Sequence, residues 1–182
     1  MPGKNIAQIV HEDSVIKYVY QQNEERSKIC FFISHKEEDM EAAKELGHHI
    51  MEDYGYNIYL DLFDQKLQKA DTNNDAEGVV NAIQQGLLYS SHLLCVISER
   101  TKDSWWVPYE IGFAQASNVK TASIVLKESE YLPTFLRVRN SPVFLTMTEL
   151  DHYLAHSGLY AALFSRKNTN QNDAKQYQFF NN

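Results

Sequence analysis

The chain has 182 residues, a length that fits one domain with short additions at its ends. Its formal net charge of −7 disfavours a nucleic-acid-binding surface, and no apolar run approaches the ~20 residues of a membrane span. The N-terminal residues lack the apolar core of a signal peptide, and the two cysteines, Cys30 and Cys95, have no metal-binding spacing. We therefore expect a cytoplasmic protein that binds neither nucleic acid nor membrane.

The first third of the chain alternates between helical and strand patterns. Apolar residues over 5–24 predict one amphipathic helix or two short ones. The continuous apolar run at 28–34 is typical of a strand buried on both faces. Helical spacing returns from Glu37 to about Tyr54, residues 54–57 predict a turn, and Asn57–Asp61 predicts a second strand.

The middle of the chain continues this alternation. Residues 62–75 are polar and predict a connection without strand pattern. An apolar stripe from Val79 to Leu88 predicts a helix, and His92–Ser98 predicts a third buried strand. Asp103 or Ser104 can cap the helix that follows, with Pro108 in its first turn.

The last third adds a fourth strand at 121–126, a fifth at 142–145 and a final helix at 148–164. The repeated alternation predicts an α/β fold: a flavodoxin-like, open, parallel five-stranded sheet with helices on both faces. We expect three parts: an N-terminal helical extension at 1–27, the main domain at 28–165, and a loose polar C-terminal tail at 166–182.

Ligands of such sheets bind beyond the carboxyl ends of the strands. Four polar residues lie at the ends of predicted strands there: Ser34, His35, Asp61 and Ser98. Each has a structural alternative, because the serines can cap helices, Asp61 can close its loop and His35 can occupy a turn. Adjacent histidines on a helix, as at 48–49, point apart, so no metal site is expected.

The segment Ser-Trp-Trp-Val-Pro-Tyr-Glu, at 104–110, lies directly after the third strand. Glu110 is a lone carboxylate in apolar company, so it is either an exposed residue on a half-buried helix or a functional group in a pocket. Trp106 fits core packing or stacking on a ligand. Trp105 fits a structural or interfacial role.

Three motifs together resemble the TIR (Toll/interleukin-1 receptor) domain over about residues 28–150. They are Phe-Ile-Ser-His-Lys-Glu-Glu-Asp at 32–39, Tyr-Leu-Asp at 59–61 with its long following loop, and the run from Leu93 to Glu110 that contains Trp-x-x-x-Glu. The sequence resembles stand-alone bacterial TIR proteins rather than receptor adaptors. It departs from many TIR domains in the loop at 62–75, which is acidic and lacks the usual glycine-containing turn, so the geometry of TIR–TIR stacking is left open.

The resemblance implies the TIR fold and cleavage of the nicotinamide–ribose bond of NAD+, with NAD+ as substrate and no cofactor. Glu110 takes the catalytic position. The expected substrate-binding residues are Phe32, Ser34, His35, Asp61, Ser98 and Trp106. One carboxylate suffices, because nicotinamide leaves without protonation and the carboxylate has only to stabilise an oxocarbenium-like transition state.

The resemblance further implies an ADP-ribose-derived signal in anti-phage defence of the Thoeris type, an effector that responds to this signal, and self-association through TIR–TIR contacts. Two alternatives stay open at this point. One is a non-catalytic TIR scaffold that acts by assembly, and the other is an enzyme similar to nucleoside deoxyribosyltransferases.

Overall fold

A parallel five-stranded sheet forms the centre of the molecule, as the sequence predicts. The computed structural model describes residues 2–8, 29–61, 64–130, 132–134, 136, 141–157 and 176–182. The strand order is β2-β1-β3-β4-β5, and each neighbouring pair is parallel. The strands are β1 (Cys30–Ser34), β2 (Asn57–Tyr59), β3 (His92–Ile97), β4 (Lys120–Val125) and β5 (Val143–Phe144).

Five α-helices connect and cover these strands in the described part of the chain. They are α1 (Met40–Tyr54), α2 (Gln65–Thr72), α3 (Ala76–Tyr89), α4 (Trp106–Ala116) and α5 (Met147–His156). Helices α1 and α5 pack on one face of the sheet, and α3 and α4 pack on the other. Within the described ranges, no helix is both long and apolar enough to cross a membrane.

The two faces of the sheet have separate cores because successive side chains of a strand point to opposite sides. In β1, Phe31 and Ile33 belong to the α1–α5 core, whereas Phe32 belongs to the α3–α4 core. In β3, the same alternation separates Val96 from Cys95. This alternation decides on which face of the sheet each strand-end residue lies.

Local signals set the helix ends at both edges of the sheet. Helix α1 ends at Gly55, whose φ of 67° is the left-handed conformation that glycine adopts without a steric penalty. Asp75 begins α3 by accepting a hydrogen bond from the Gly78 amide. At the start of α4, the Ser104 hydroxyl accepts from the Val107 amide at 3.2 Å, which agrees with the predicted capping role of Ser104.

Helix α2 is the main difference from the sequence prediction, which has only an irregular connection at 62–75. Its apolar residues are few, so the helical pattern is weak. Its start is nevertheless encoded, because a carboxylate oxygen of Asp64 accepts from the Leu67 amide at 3.2 Å.

The expectation of a loose C-terminal end is wrong for residues 176–182, which pack onto the domain. Phe180 is 2% exposed and belongs to the α1–α5 core. The Glu45 carboxylate accepts from the amides of Gln178 and Phe179, and the Phe179 carbonyl accepts from the Lys127 amide at 3.0 Å. The predicted N-terminal helices beyond residue 8, the final helix beyond residue 157 and the domain boundaries at 27 and 165 lie outside the described residues.

Candidate active site

The carboxyl end of β1 meets Glu110, which lies in the second turn of α4. Ser34, the last residue of β1, comes two positions after Phe32 and therefore faces the α3–α4 layer. Its hydroxyl donates a hydrogen bond to Oε2 of Glu110. Ser34 is 1% exposed and Glu110 is 4% exposed. The buried position excludes the alternative in which Glu110 is an exposed helix residue.

The environment of Glu110 favours its neutral form. Burial in the protein penalises the carboxylate, and the hydrogen bond from Ser34 offsets this penalty only in part. The negative charge of Asp61 adds to the effect of burial. Together they raise the pKa of Glu110 to about 8. A buried carboxyl group with a raised pKa, beside the carboxyl end of a central strand, is a candidate functional residue.

His35 and Asp61 lie together at the ends of β1 and β2, and the charge of Asp61 acts on this carboxyl group. The Nδ1 atom of His35 is 3.9 Å from Oδ1 of Asp61 and 3.4 Å from the carbonyl oxygen of Ile33. The His35 side chain is only 4% exposed, which excludes a surface role. Asp61 is more open, so its carboxylate forms the polar rim of the site.

An aromatic stack supports the site from β1 and β2. The Phe32 ring stacks on the Tyr59 ring, with centroids 5.3 Å apart and planes 9° from parallel, and the Tyr59 hydroxyl donates to Asp64. Gly86 of α3 lies against both rings, since a Cβ there would be 2.6 Å from Tyr59 Cε1 and 2.9 Å from Phe32 Cε2. Glycine therefore lets α3 pack directly on the stack.

The two tryptophans at the start of α4 differ in exposure. Trp106 precedes Glu110 by four residues, one helical turn, so both side chains lie on the same face of α4. It is 42% exposed and contacts the Tyr109 ring edge-on at 6.0 Å, so its indole is available to a ligand. Trp105 is 91% exposed and contributes little to the core.

Comparison with known proteins identifies the family. The family model described as TIR domain matches residues 31–156. This chain belongs to the TIR domain family. It is also similar to a protein of Bacillus cereus (strain MSX-D12) that bears the name "Probable 3' cyclic ADP-D-ribose synthase ThsB'". The two are 28% identical over 136 residues, which cover 70% of this chain and 68% of that protein.

The TIR fold places one predicted site residue, Ser98, away from Glu110. Ser98 follows β3 with the same orientation as Val96, on the α1–α5 face. Its hydroxyl donates to Asp39 and accepts from the Arg100 amide, and thereby begins a short 3-10 helix at Glu99–Asp103. These contacts support the alternative in which Ser98 caps a helix.

Ser98 lines a separate cavity of about 570 Å³ on that face of the TIR domain. An ion pair lies in its wall, in which Nη1 of the exposed Arg100 side chain is 2.7 Å from Oδ1 of the buried Asp39. The lining of the cavity has more carboxylates than cationic groups. Phe179, from the segment 176–182, is also part of this lining. Acidic walls of this kind disfavour a negatively charged ligand.

Sequence reasoning missed Tyr59, Asp64 and Cys95 as neighbours of the TIR site. Tyr59 begins the Tyr-Leu-Asp motif and Asp64 follows it, so their position in the chain was the available signal. Cys95 was interpreted as core, and it is indeed fully buried. Its distinguishing feature is the strand register, which pairs it with Ser34 and which a single sequence does not show.

Proposed function

We propose that this TIR protein is an enzyme that cleaves NAD+ at the nicotinamide–ribose bond, with Glu110 as the catalytic residue. The observation that carries the proposal is the buried Glu110 carboxyl group at the carboxyl edge of the sheet. This group accepts a hydrogen bond from the Ser34 hydroxyl, and the half-exposed indole of Trp106 lies one helical turn before it. The name of the Bacillus relative, "Probable 3' cyclic ADP-D-ribose synthase ThsB'", supports the same chemistry.

The proposed reaction breaks one carbon–nitrogen bond. The electron pair of the bond between ribose C1′ and the pyridinium nitrogen moves to that nitrogen, and neutral nicotinamide departs without needing a proton. The positive charge that develops on the ribose is stabilised by the Glu110 carboxylate. Water or a hydroxyl group then attacks C1′ and loses its proton, whereas a ring nitrogen attacks with its lone pair and takes on the positive charge. Water gives linear ADP-ribose, and a hydroxyl or ring nitrogen of the same molecule gives a cyclic product.

The neighbouring residues fit distinct tasks in this scheme. Ser34 orients the carboxylate, and Asp61 and His35 are the polar side chains that we assign to hydrogen bonds with the ribose or the nicotinamide amide. Trp106 offers an aromatic face to the pyridinium, a contact worth about 0.5–2 kcal/mol. Phe32 is buried, so we assign it a packing role beneath the site rather than direct contact with the substrate.

The protonation state of Glu110 links binding to chemistry. The raised pKa leaves most of this group neutral at pH 7 when no substrate charge is nearby. A bound pyridinium brings a positive charge next to the carboxyl group and favours the anion. The substrate therefore promotes the form of Glu110 that its own cleavage requires.

The acidic cavity beside Ser98 is a less suitable NAD+ site. NAD+ carries a negatively charged diphosphate, which the surplus of carboxylates in that cavity would repel. We assign cleavage to the Glu110 side for this reason.

We further propose that the product is a cyclic ADP-ribose or a related signal in anti-phage defence, read by an effector, and that copies of the chain self-associate. The name of the relative supports the product class. The 91% exposed Trp105 beside the site supports a contact between copies. Self-association predicts a specific activity that rises with protein concentration, and a constant activity over a hundredfold range would contradict it.

The test is incubation of the purified full chain with NAD+ and chromatographic measurement of nicotinamide. We expect release by the wild-type chain and at least a hundredfold loss in Glu110→Gln. Glu99→Gln is the matched control, because Glu99 is exposed and lies on the other face of the sheet. Equal release by both variants would exclude Glu110 as the catalytic residue, and a scaffold function predicts that cell-based signalling survives Glu110→Gln.

A further inference from the structure

The half-exposed indole of Trp106 is supported from the side by a neighbour on α4. Trp106 and Tyr109 are three residues apart, a spacing that brings two side chains of a helix into contact. Their rings meet edge to face, with centroids 6.0 Å apart and planes at 84° to each other. Because Trp106 is 42% exposed, the core restrains only part of its indole, and the Tyr109 ring supplies a lateral support.

Tyr109 is itself held at two points. The side-chain amide of Gln84, in α3, donates a hydrogen bond to the Tyr109 hydroxyl oxygen at 2.7 Å. The Phe113 ring, one helical turn further along α4, stacks on the Tyr109 ring with centroids 6.4 Å apart and planes 22° from parallel. Both rings also pack against the α3–α4 core. The ring that supports Trp106 is therefore fixed at its hydroxyl end by a neighbouring helix.

The hydrogen bond from Gln84 is not required to satisfy a buried polar group. Gln84 and Tyr109 are each partly exposed, so water can bond to both groups in its place, and the bond adds only modestly to stability. Its distinct effect is on conformation, because a bonded side chain loses rotational freedom. Tyr109 thus offers Trp106 a support with a fixed direction.

A fixed indole matters for a ligand that stacks on it. A side chain that turns freely has to be ordered when the ligand binds, and this ordering weakens the affinity by about 2- to 10-fold. Trp106 comes one helical turn before Glu110, whose carboxyl group accepts from Ser34. An indole held at this place presents its ring beside the group to which we assign cleavage.

We propose that Gln84 and Tyr109 are positioning residues for Trp106, which hold its indole in the orientation that stacks on the nicotinamide ring. The effect on catalysis rests on the proposed function, whereas the contacts from Gln84 to Trp106 exist in the protein without substrate. A structural role alone would only join α3 to α4. Loss of the bond would then change stability, but neither the motion of the indole nor the KM for NAD+.

The test uses the fluorescence of Trp106 in the substrate-free protein. The chain has two tryptophans, so Trp105→Phe leaves Trp106 as the single tryptophan fluorophore. In this background, the nanosecond decay of fluorescence anisotropy reports the rotation of the indole. Tyr109→Phe and Gln84→Leu each remove the hydrogen bond and keep the bulk of the side chain. We expect both to increase the fast component of the decay.

Gln85→Leu is the matched control, because Gln85 is the same residue type in the same helix and is exposed. It should leave the decay unchanged. Gln84→Glu should restore the slow decay, since its carboxylate can accept from the Tyr109 hydroxyl. Equal decays in Gln84→Leu, Tyr109→Phe and Gln85→Leu would overturn the proposal. If Gln84→Leu does not fold, Tyr109→Phe alone decides.

Steady-state kinetics with NAD+ test the catalytic consequence in chains that keep Trp105. Tyr109→Phe and Gln84→Leu should raise KM by about 2- to 10-fold while kcat stays within about twofold, and Gln85→Leu should change neither. A looser indole with an unchanged KM would refute the role in substrate binding. If the wild-type chain does not cleave NAD+, the proposed function fails, and the anisotropy decay still decides whether Gln84 and Tyr109 hold the indole.

Discussion

Replacement of Glu110 by glutamine should stabilise the protein while it abolishes NAD+ cleavage. In the folded chain, burial raises the pKa of this carboxyl group from an ordinary 4.5 to about 8. Between these pH values the unfolded chain releases the proton and the folded chain keeps it. The stability that protonated Glu110 contributes to the folded chain is fully present below pH 4.5 and is lost as the pH rises through 8.

The size of this effect follows from the two pKa values. A tenfold change in proton binding corresponds to about 1.4 kcal/mol. The unfolding free energy of the wild-type chain therefore falls by less than about 1 kcal/mol by pH 5, about 3 kcal/mol by pH 7 and about 5 kcal/mol by pH 9. Glutamine has nearly the same shape, stays neutral at every pH and escapes the loss. At pH 7 the gain corresponds to a rise in Tm of roughly 6–12 °C for a chain of this size.

The assay is urea unfolding of the wild-type chain, Glu110→Gln and the exposed control Glu99→Gln at pH 5, 7 and 9, without NAD+. The quantity of interest is the difference in unfolding free energy between variant and wild type, because other titrating groups cancel in it. We expect a difference that grows with pH for Glu110→Gln and stays near zero for Glu99→Gln. A Glu110→Gln chain that is no more stable than wild type at pH 9 would refute the account of the Glu110 environment.

Further predictions concern binding, packing and pH. Gly86→Ala places a methyl group against the Tyr59 ring, so thermal unfolding should show a loss of about 1–3 kcal/mol, and KM for NAD+ should rise; an unchanged Tm would contradict the close packing. Trp106→Ala should raise KM roughly 3- to 30-fold with little change in Tm, and steady-state kinetics with an unchanged KM would argue against ring stacking. Phe180→Ala should cost about 3 kcal/mol in urea unfolding, whereas a freely moving C-terminus would give no loss. For the wild-type chain, kcat/KM should increase with pH through a midpoint near 8 as Glu110 ionises, and a profile that is flat from pH 6 to 9 would contradict this.

Much of the fold was predictable because the strands and most helices carry strong periodic signals. Continuous apolar runs such as Cys30–Ser34 and His92–Ile97 gave the central strands, and their alternation with helices gave the parallel sheet. Helix α2 was missed because its segment has too few apolar residues for a stripe. The docking of residues 176–182 was also missed, since it depends on single contacts such as the burial of Phe180.

The candidate site was predictable in outline and not in detail. The Trp-x-x-x-Glu motif and the strand ends indicated Glu110 and Ser34, and the structure joins them by a hydrogen bond. Ser98 follows its strand in the same way, but the pleat turns it to the other face of the sheet. The pairing of Ser34 with Cys95 depends on strand register, which local sequence patterns do not determine.

The most direct test of the account is mass spectrometry of the products formed when the full chain is incubated with NAD+. We expect nicotinamide together with an equal amount of an ADP-ribose product, cyclic or linear, from the wild-type and Glu99→Gln chains, and neither product from Glu110→Gln. Intact NAD+ in the wild-type reaction at high protein concentration, or equal product formation by Glu110→Gln, would contradict the central claim that the buried Glu110 carboxylate cleaves the nicotinamide–ribose bond.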